Sequence, residues 1–126
     1  MTFDPRQTAL DYLECVRNLE TEAMLTRFAE GAKVWLPGQG WIDAEALTVL
    51  LDGARSRLVD GIRFEHVDVL LVDNRVVVMT ECDSPLVGGG SYVNHFCFVF
   101  TFDEAGLIAE MREYTDSAPA IAAFHT

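Results

Sequence analysis

The side chains of this sequence best equipped for chemistry are carboxylates. There are 20 Asp and Glu against 9 Lys and Arg, a formal net charge of -11 over 126 residues. A carboxylate in water is an ordinary strong anion. Taken into apolar surroundings it has a raised pKa, and it can then hold or take a proton near neutrality. What matters is which acids turn inward, and strand parity gives a partial answer because alternate residues share a face. On the strand-like run from Arg75 to Asp83, Val77, Met79, Glu81 and Asp83 share one face, opposite Val76, Val78, Thr80 and Cys82. On the run from Leu107 to Thr115, Met111, Glu113 and Thr115 lie opposite Arg112 and Tyr114. Two readings stand open. These acids line an apolar interior, or Glu81 and Asp83 form a solvated face and Glu113 pairs across a strand.

Other reactive types carry weaker signals. Asn94 stands in an aromatic file with Tyr92, Phe96, Phe98, Phe100 and Phe102, and a buried amide needs partners. It could orient a substrate oxygen or satisfy a bulge. His95 falls on the opposite face, where a structural role is the plainer reading. Cys82 and Cys97 have no histidine placed to activate them, and Ser84 lacks the G-x-S-x-G setting. Gly88-Gly89-Gly90 is followed by no Lys-Ser/Thr and reads as a loop, not a phosphate cradle. No metal is expected, since His66, His95 and His125 lie far apart and none has a second ligand at helical spacing.

The acidic balance argues against nucleic acid and anionic membrane surfaces, whose phosphates need clustered Lys and Arg. One domain spanning 1–126 is the expectation for this length. No basic-then-apolar leader opens the sequence, and no apolar stretch nears the roughly 18 residues of a spanning helix. Three cysteines without a C-x-x-C are expected to be reduced thiols in a cytoplasm.

These residues must be positioned by a mixed set of elements. Asp4 and Pro5 begin a helix with Ala9, Tyr12, Leu13, Val16 and Leu19 on its apolar face. A second short helix runs through Ala23, Met24, Leu25 and Phe28, with Gly31 as its stop. Lys33 to Leu36 forms a short strand ended at Pro37-Gly38, and Asp43 caps a third helix. Strand-like runs follow at Ile62–Asp73, Arg75–Asp83, Ser91–Phe102 and Leu107–Thr115, and Ser117–Thr126 is a tail with a turn of helix at most. Helices followed by an antiparallel meander make an α+β fold. The Ser91–Phe102 strand is apolar on both faces. One face must meet the helices, and the other is expected to meet a second copy in a homodimer, or else a strongly curved sheet folds over itself.

Three segments resemble the nuclear transport factor 2-like superfamily, whose members include ketosteroid isomerase, SnoaL-like polyketide cyclases and limonene epoxide hydrolase. They are Leu25–Gly38, Phe98–Ile108 and the Arg112-Glu113-Tyr114-Thr115-Asp116 run, and the likeness extends from about Ala9 to Pro119. The resemblance implies a curved sheet wrapped around about three helices, forming a cone with an apolar pocket. Phe28, Trp35, Trp41, Met79 and Met111 could line it or be ordinary core. By resemblance Glu113 falls where the epoxide hydrolase branch has its final-strand acid, and Asp83 where it has a paired acid. Glu81 stands where that branch has an arginine. Without that cation, epoxide opening is disfavoured. What remains is one proton-shuttling acid, with Tyr12 donating its hydroxyl as a helix tyrosine does in the isomerases. The expected function is a cofactor-independent proton transfer on an apolar, cyclic or polyketide-like molecule. The other reading is a non-catalytic ligand-binding or dimerisation module, because this fold hosts many functions.

Overall fold

The computed structural model describes residues 3–125. Helix α1 (Pro5–Arg17) starts at Asp4, whose carboxylate accepts from the Arg6 N–H at 3.1 Å, with Pro5 in the first turn. Helix α2 (Thr21–Thr26) follows directly. Strand β1 (Phe28–Leu36) and strand β2 (Gly40–Asp43) form a hairpin, and Asp43 then caps helix α3 (Ala44–Ala54) by accepting from the Ala46 N–H at 2.8 Å. A single 3-10 turn (Arg55–Arg57) leads to β3 (Phe64–Val72), β4 (Arg75–Pro85), β5 (Ser91–Phe102) and β6 (Ile108–Thr115), and the chain closes with helix α4 (Ser117–Phe124).

The α+β expectation holds. The six strands form one sheet in the order β2-β1-β6-β5-β4-β3, antiparallel throughout except for the parallel β1–β6 pair. Register shifts interrupt β1–β6, β3–β4 and β5–β6, and each bulge adds local twist and bend, so the sheet curves around the helices. Several boundaries differ from expectation. The second helix stops at Thr26, before Phe28. Gly31 is not its cap but lies within β1 at φ +74, inside the shifted stretch between Phe28 and Lys33. Strand β2 was not expected. The tail is a helix of 8 residues, because Asp116 caps it by accepting from the Ala118 N–H.

The concave face of the sheet carries the core. Val76 and Val78 of β4, Phe98 and Phe100 of β5, and Ile108 and Met111 of β6 are almost wholly buried. The β5 file is continuous, with Phe96, Phe98, Phe100 and Phe102 stacked at ring centroid spacings of 5.4, 6.0 and 6.0 Å. Tyr12 of α1 meets Phe28 and Phe100 edge-on at 5.4 and 5.5 Å and so locks helix to sheet. Gly61 is where the chain turns from the helices into the sheet. It sits at φ +61, and a Cβ there would overlap the Arg17 carbonyl oxygen. That same carbonyl accepts from the Ile62 N–H at 3.2 Å. Among the described residues no helix is long and apolar enough to cross a membrane. The cysteines are free.

Candidate functional site

Between the concave sheet and helices α1 to α3 lies a cavity of about 450 Å³. Tyr12 and Met24 come from the helices, Tyr92, Phe96 and Phe98 from β5, and Glu113 from β6. Its wall is mostly apolar, with a few polar groups set into it, the usual make-up of a small-molecule pocket. His125, just beyond α4, contributes to the rim.

Glu113 reaches this position through local strand geometry. The shift between Thr101–Glu110 and Phe102–Ile108 leaves Ala109 as an extra residue. Beyond it Met111 pairs with Phe100 and Glu113 with Phe98, both on the concave face. The residue is half-buried, and it lines the cavity. Among the described residues, none hydrogen-bonds or ion-pairs with it. Burial therefore acts unopposed and raises its pKa from 4.5 to about 7.

Two phenols share this environment. Tyr12 is 1% exposed, and its pKa is raised well above the ordinary value, first by burial and then by the nearby Glu113 charge. Tyr92 is also raised by burial, with Glu113 among the further causes. The Asn94 amide donates to the Tyr92 hydroxyl oxygen at 2.9 Å, which leaves the phenolic proton free to donate elsewhere. The site thus combines a carboxyl poised near neutrality with two protonated phenols in an apolar chamber. That set can accept a proton from a carbon acid and donate hydrogen bonds to the oxygen that gains charge.

The residues expected at the site divide sharply. Glu113 and Tyr12 line the cavity. Glu81 and Asp83 do not, and their inward placement is corrected. The concave face of β4 is Val76, Val78, Thr80, Cys82 and Ser84, all buried, so the odd-numbered acids point out. Asp83 is exposed, and Glu81 lies 3.3 Å from the His95 imidazole on the convex face. Met79 shares that face and is 39% exposed. Trp35 and Trp41 are likewise on the convex side. Trp35 packs on Tyr114 at 5.2 Å, and Trp41 lies beneath the Arg112 guanidinium at 5.1 Å. Phe28 and Met111 are buried core and do not line the cavity. Asn94 is buried and fully tied, donating to Tyr92 and to the Asp116 carbonyl while accepting from the His95 N–H, so it positions Tyr92. Tyr92, Phe96 and Phe98 were missed as lining residues, although parity already grouped them with Asn94. Met24, Leu47 and His125 carry no local signal, since packing between elements brings them to the chamber.

The sequence matches the family described as SnoaL-like domain over residues 9–111. No curated protein matches it. Among solved structures it resembles a hydroxylase candidate from Streptomyces galilaeus, at 11% identity and a TM-score of 0.80, covering 96% of this chain and 80% of that one. It also resembles a polyketide cyclase candidate from Xanthomonas campestris pv. campestris, at 21% identity and a TM-score of 0.75, covering 96% and 99%. A third is a limonene-epoxide-hydrolase-like (LEH-like) epoxide hydrolase from M. tuberculosis, at 15% identity and a TM-score of 0.73, covering 96% and 89%. At these identities the likeness speaks to the fold.

Proposed function

The chain belongs to the SnoaL-like domain family, and from that membership we propose a cofactor-independent enzyme that moves a proton on an apolar, cyclic or polyketide-like small molecule. The observation that carries this reading is Glu113, one carboxyl group without an ion-pair partner among the described residues, set in an apolar chamber beside Tyr12 and Tyr92. In its ionised form Glu113 takes a proton from the carbon next to a substrate carbonyl. The negative charge passes to the carbonyl oxygen, where a phenol donates a hydrogen bond. The protonated Glu113 then returns the proton to a different carbon, completing an isomerisation, or the enolate carbon attacks a second carbonyl in a cyclisation, whose oxygen takes the electron pair of the broken C=O π bond and the proton held by Glu113. A carboxyl with a pKa near 7 serves both halves, since it is neither too weak a base nor too weak an acid.

Among the described residues the cavity lining contains no arginine, and Asp83 lies outside it, so the cation and paired acid of epoxide opening have no counterpart among them. That absence of a second carboxylate also favours the other reading, a module that binds the same class of ligand without turning it over. A second copy on the convex face and a cytoplasmic location complete the proposal. Exposed Trp41, Val72 and Val93 support the first, and the three free thiols support the second.

The test is the conversion of a cyclic β,γ-unsaturated ketone to its conjugated isomer, followed by ultraviolet absorbance, with solvent deuterium uptake at the α-carbon as a second readout. Glu113→Gln is expected to reduce the rate by about 10²–10⁴-fold, with the fold unchanged. Equal rates in wild type and variant would remove Glu113 from the chemistry. Ligand binding without turnover in either would favour the binding module.

A further inference from the structure

On the convex side of the sheet, away from the cavity, we propose that Glu65, His66, Glu81 and His95 form a binding site for a divalent transition-metal ion of the zinc class. Three strands build it. Glu65 of edge strand β3 pairs directly with Glu81 of β4, and Glu81 pairs directly with His95 of β5, so the three form one row across the sheet. His66 would ordinarily alternate to the opposite face. It does not, because β3 is bulged between Glu65 and Asp68, and His66 takes up a left-handed conformation at φ +56. The Thr80 hydroxyl supports the bulge from the concave side by donating to the Glu65 carbonyl at 2.8 Å.

As a result, ligand atoms of Glu65, His66 and Glu81 all lie within 4.8 Å of one another. The His95 Nε2 comes within 3.3 Å of the same Glu81 carboxylate. A tetrahedral ion with bonds of about 2.0–2.1 Å needs ligand atoms roughly 3.4 Å apart, so small side-chain rotations would bring Glu65, His66 and Glu81 to that spacing, and His95 would join them by swinging from its place beside Glu81. Imidazole with carboxylate is the donor mixture that suits zinc and its neighbours, whereas calcium and magnesium prefer oxygen alone. Two carboxylates placed directly opposite each other repel, and a cation between them removes that cost. Histidine spacing along the chain gave no sign of this site, since its ligands come together only across strands. Metal bound here would tie the edge strand to its two neighbours and would stand apart from the proton chemistry of the cavity.

The test uses the whole chain without an affinity tag, stripped by chelator and titrated with zinc chloride by calorimetry, then with cobalt(II) by visible absorption. One equivalent is expected to bind at micromolar concentration, with cobalt absorption of tetrahedral type. His66→Asn keeps a residue that tolerates the left-handed backbone, and Glu81→Gln keeps the side-chain shape. Each is expected to weaken binding by about tenfold or more, while His125→Ala leaves it unchanged. No saturable binding up to millimolar zinc, or affinity unaltered by both His66→Asn and Glu81→Gln, would overturn the proposal.

Discussion

Asn94 holds Tyr92. Its amide nitrogen lies 2.9 Å from the phenolic oxygen, and the same nitrogen donates to the Asp116 carbonyl at 2.8 Å, while its amide oxygen accepts from the His95 N–H at 2.9 Å. One buried side chain therefore aims a cavity phenol and anchors the residue that caps α4. Asn94→Ala would leave the Asp116 carbonyl without this donor and the Tyr92 hydroxyl unanchored. A loss of about 2–3 kcal/mol is expected in urea unfolding, together with faster proteolysis within α4. A change below about half a kilocalorie per mole would show that water replaces the amide.

Stability should depend on pH through Glu113. Its pKa in the fold, about 7, lies above the 4.5 of the unfolded chain, so the native state binds the proton more tightly. Stability from this group is complete below the unfolded value. It declines as pH rises through the window up to about 7, and above that the buried charge is a standing cost. Glu113→Gln should therefore be more stable than wild type at mildly alkaline pH, by at most about 3 kcal/mol and less where cavity water screens the carboxylate. The difference should shrink on acidification. Denaturant midpoints of both proteins across that range decide the matter, and parallel curves would mean that Glu113 titrates normally.

Gly61 should tolerate no side chain. Its φ of +61 disfavours one, and a Cβ would collide with the Arg17 backbone, which is held by the Ile62 N–H. Gly61→Ala is expected to cost about 3 kcal/mol or more, read as a fall in Tm. Gly53→Ala, in α3 where nothing lies near the added carbon, should be neutral or slightly stabilising.

The convex face gives a further structural prediction. Trp41 at 48%, Val93 at 52% and Met79 at 39% exposed leave an apolar surface that a second copy would cover. Light scattering after gel filtration should return twice the chain mass for wild type and a single chain mass for Met79→Asp. A monomeric wild type at micromolar concentration would reject the dimer.

Tyr12→Phe separates the phenol's hydrogen bond from its packing, since the ring contacts with Phe28 and Phe100 survive. Turnover is expected to fall by about 10²-fold, with stability nearly unchanged. An equal rate would shift the donor role to Tyr92.

Much of this architecture was legible along the chain because it rests on local physics. Asp4 and Asp43 cap helices since their carboxylates reach amides two or three residues ahead, and the apolar spacing of Ala9, Tyr12 and Leu13 marks a buried helical face. Alternation in β4, β5 and β6 grouped Glu113 with Met111, and Glu81 with Asp83, correctly. What alternation cannot say is which group faces inward. That depended on where the helices pack, and the clue was compositional: the even face of β4 (Val76, Val78, Thr80, Cys82 and Ser84) carries no charge, so the acids of the odd face were left to water. The bulges at Ala109 and His66 were also invisible, because one extra residue in a strand changes no composition yet reverses the facing of everything after it. The sequence by itself determined the elements, their caps and the sets of residues that move together. Only the tertiary structure decided that Glu113 stands in a mostly apolar cavity while Glu81 meets His95 outside. A carboxyl's chemistry depends on the solvent that surrounds it, and that surrounding is supplied by residues distant along the chain.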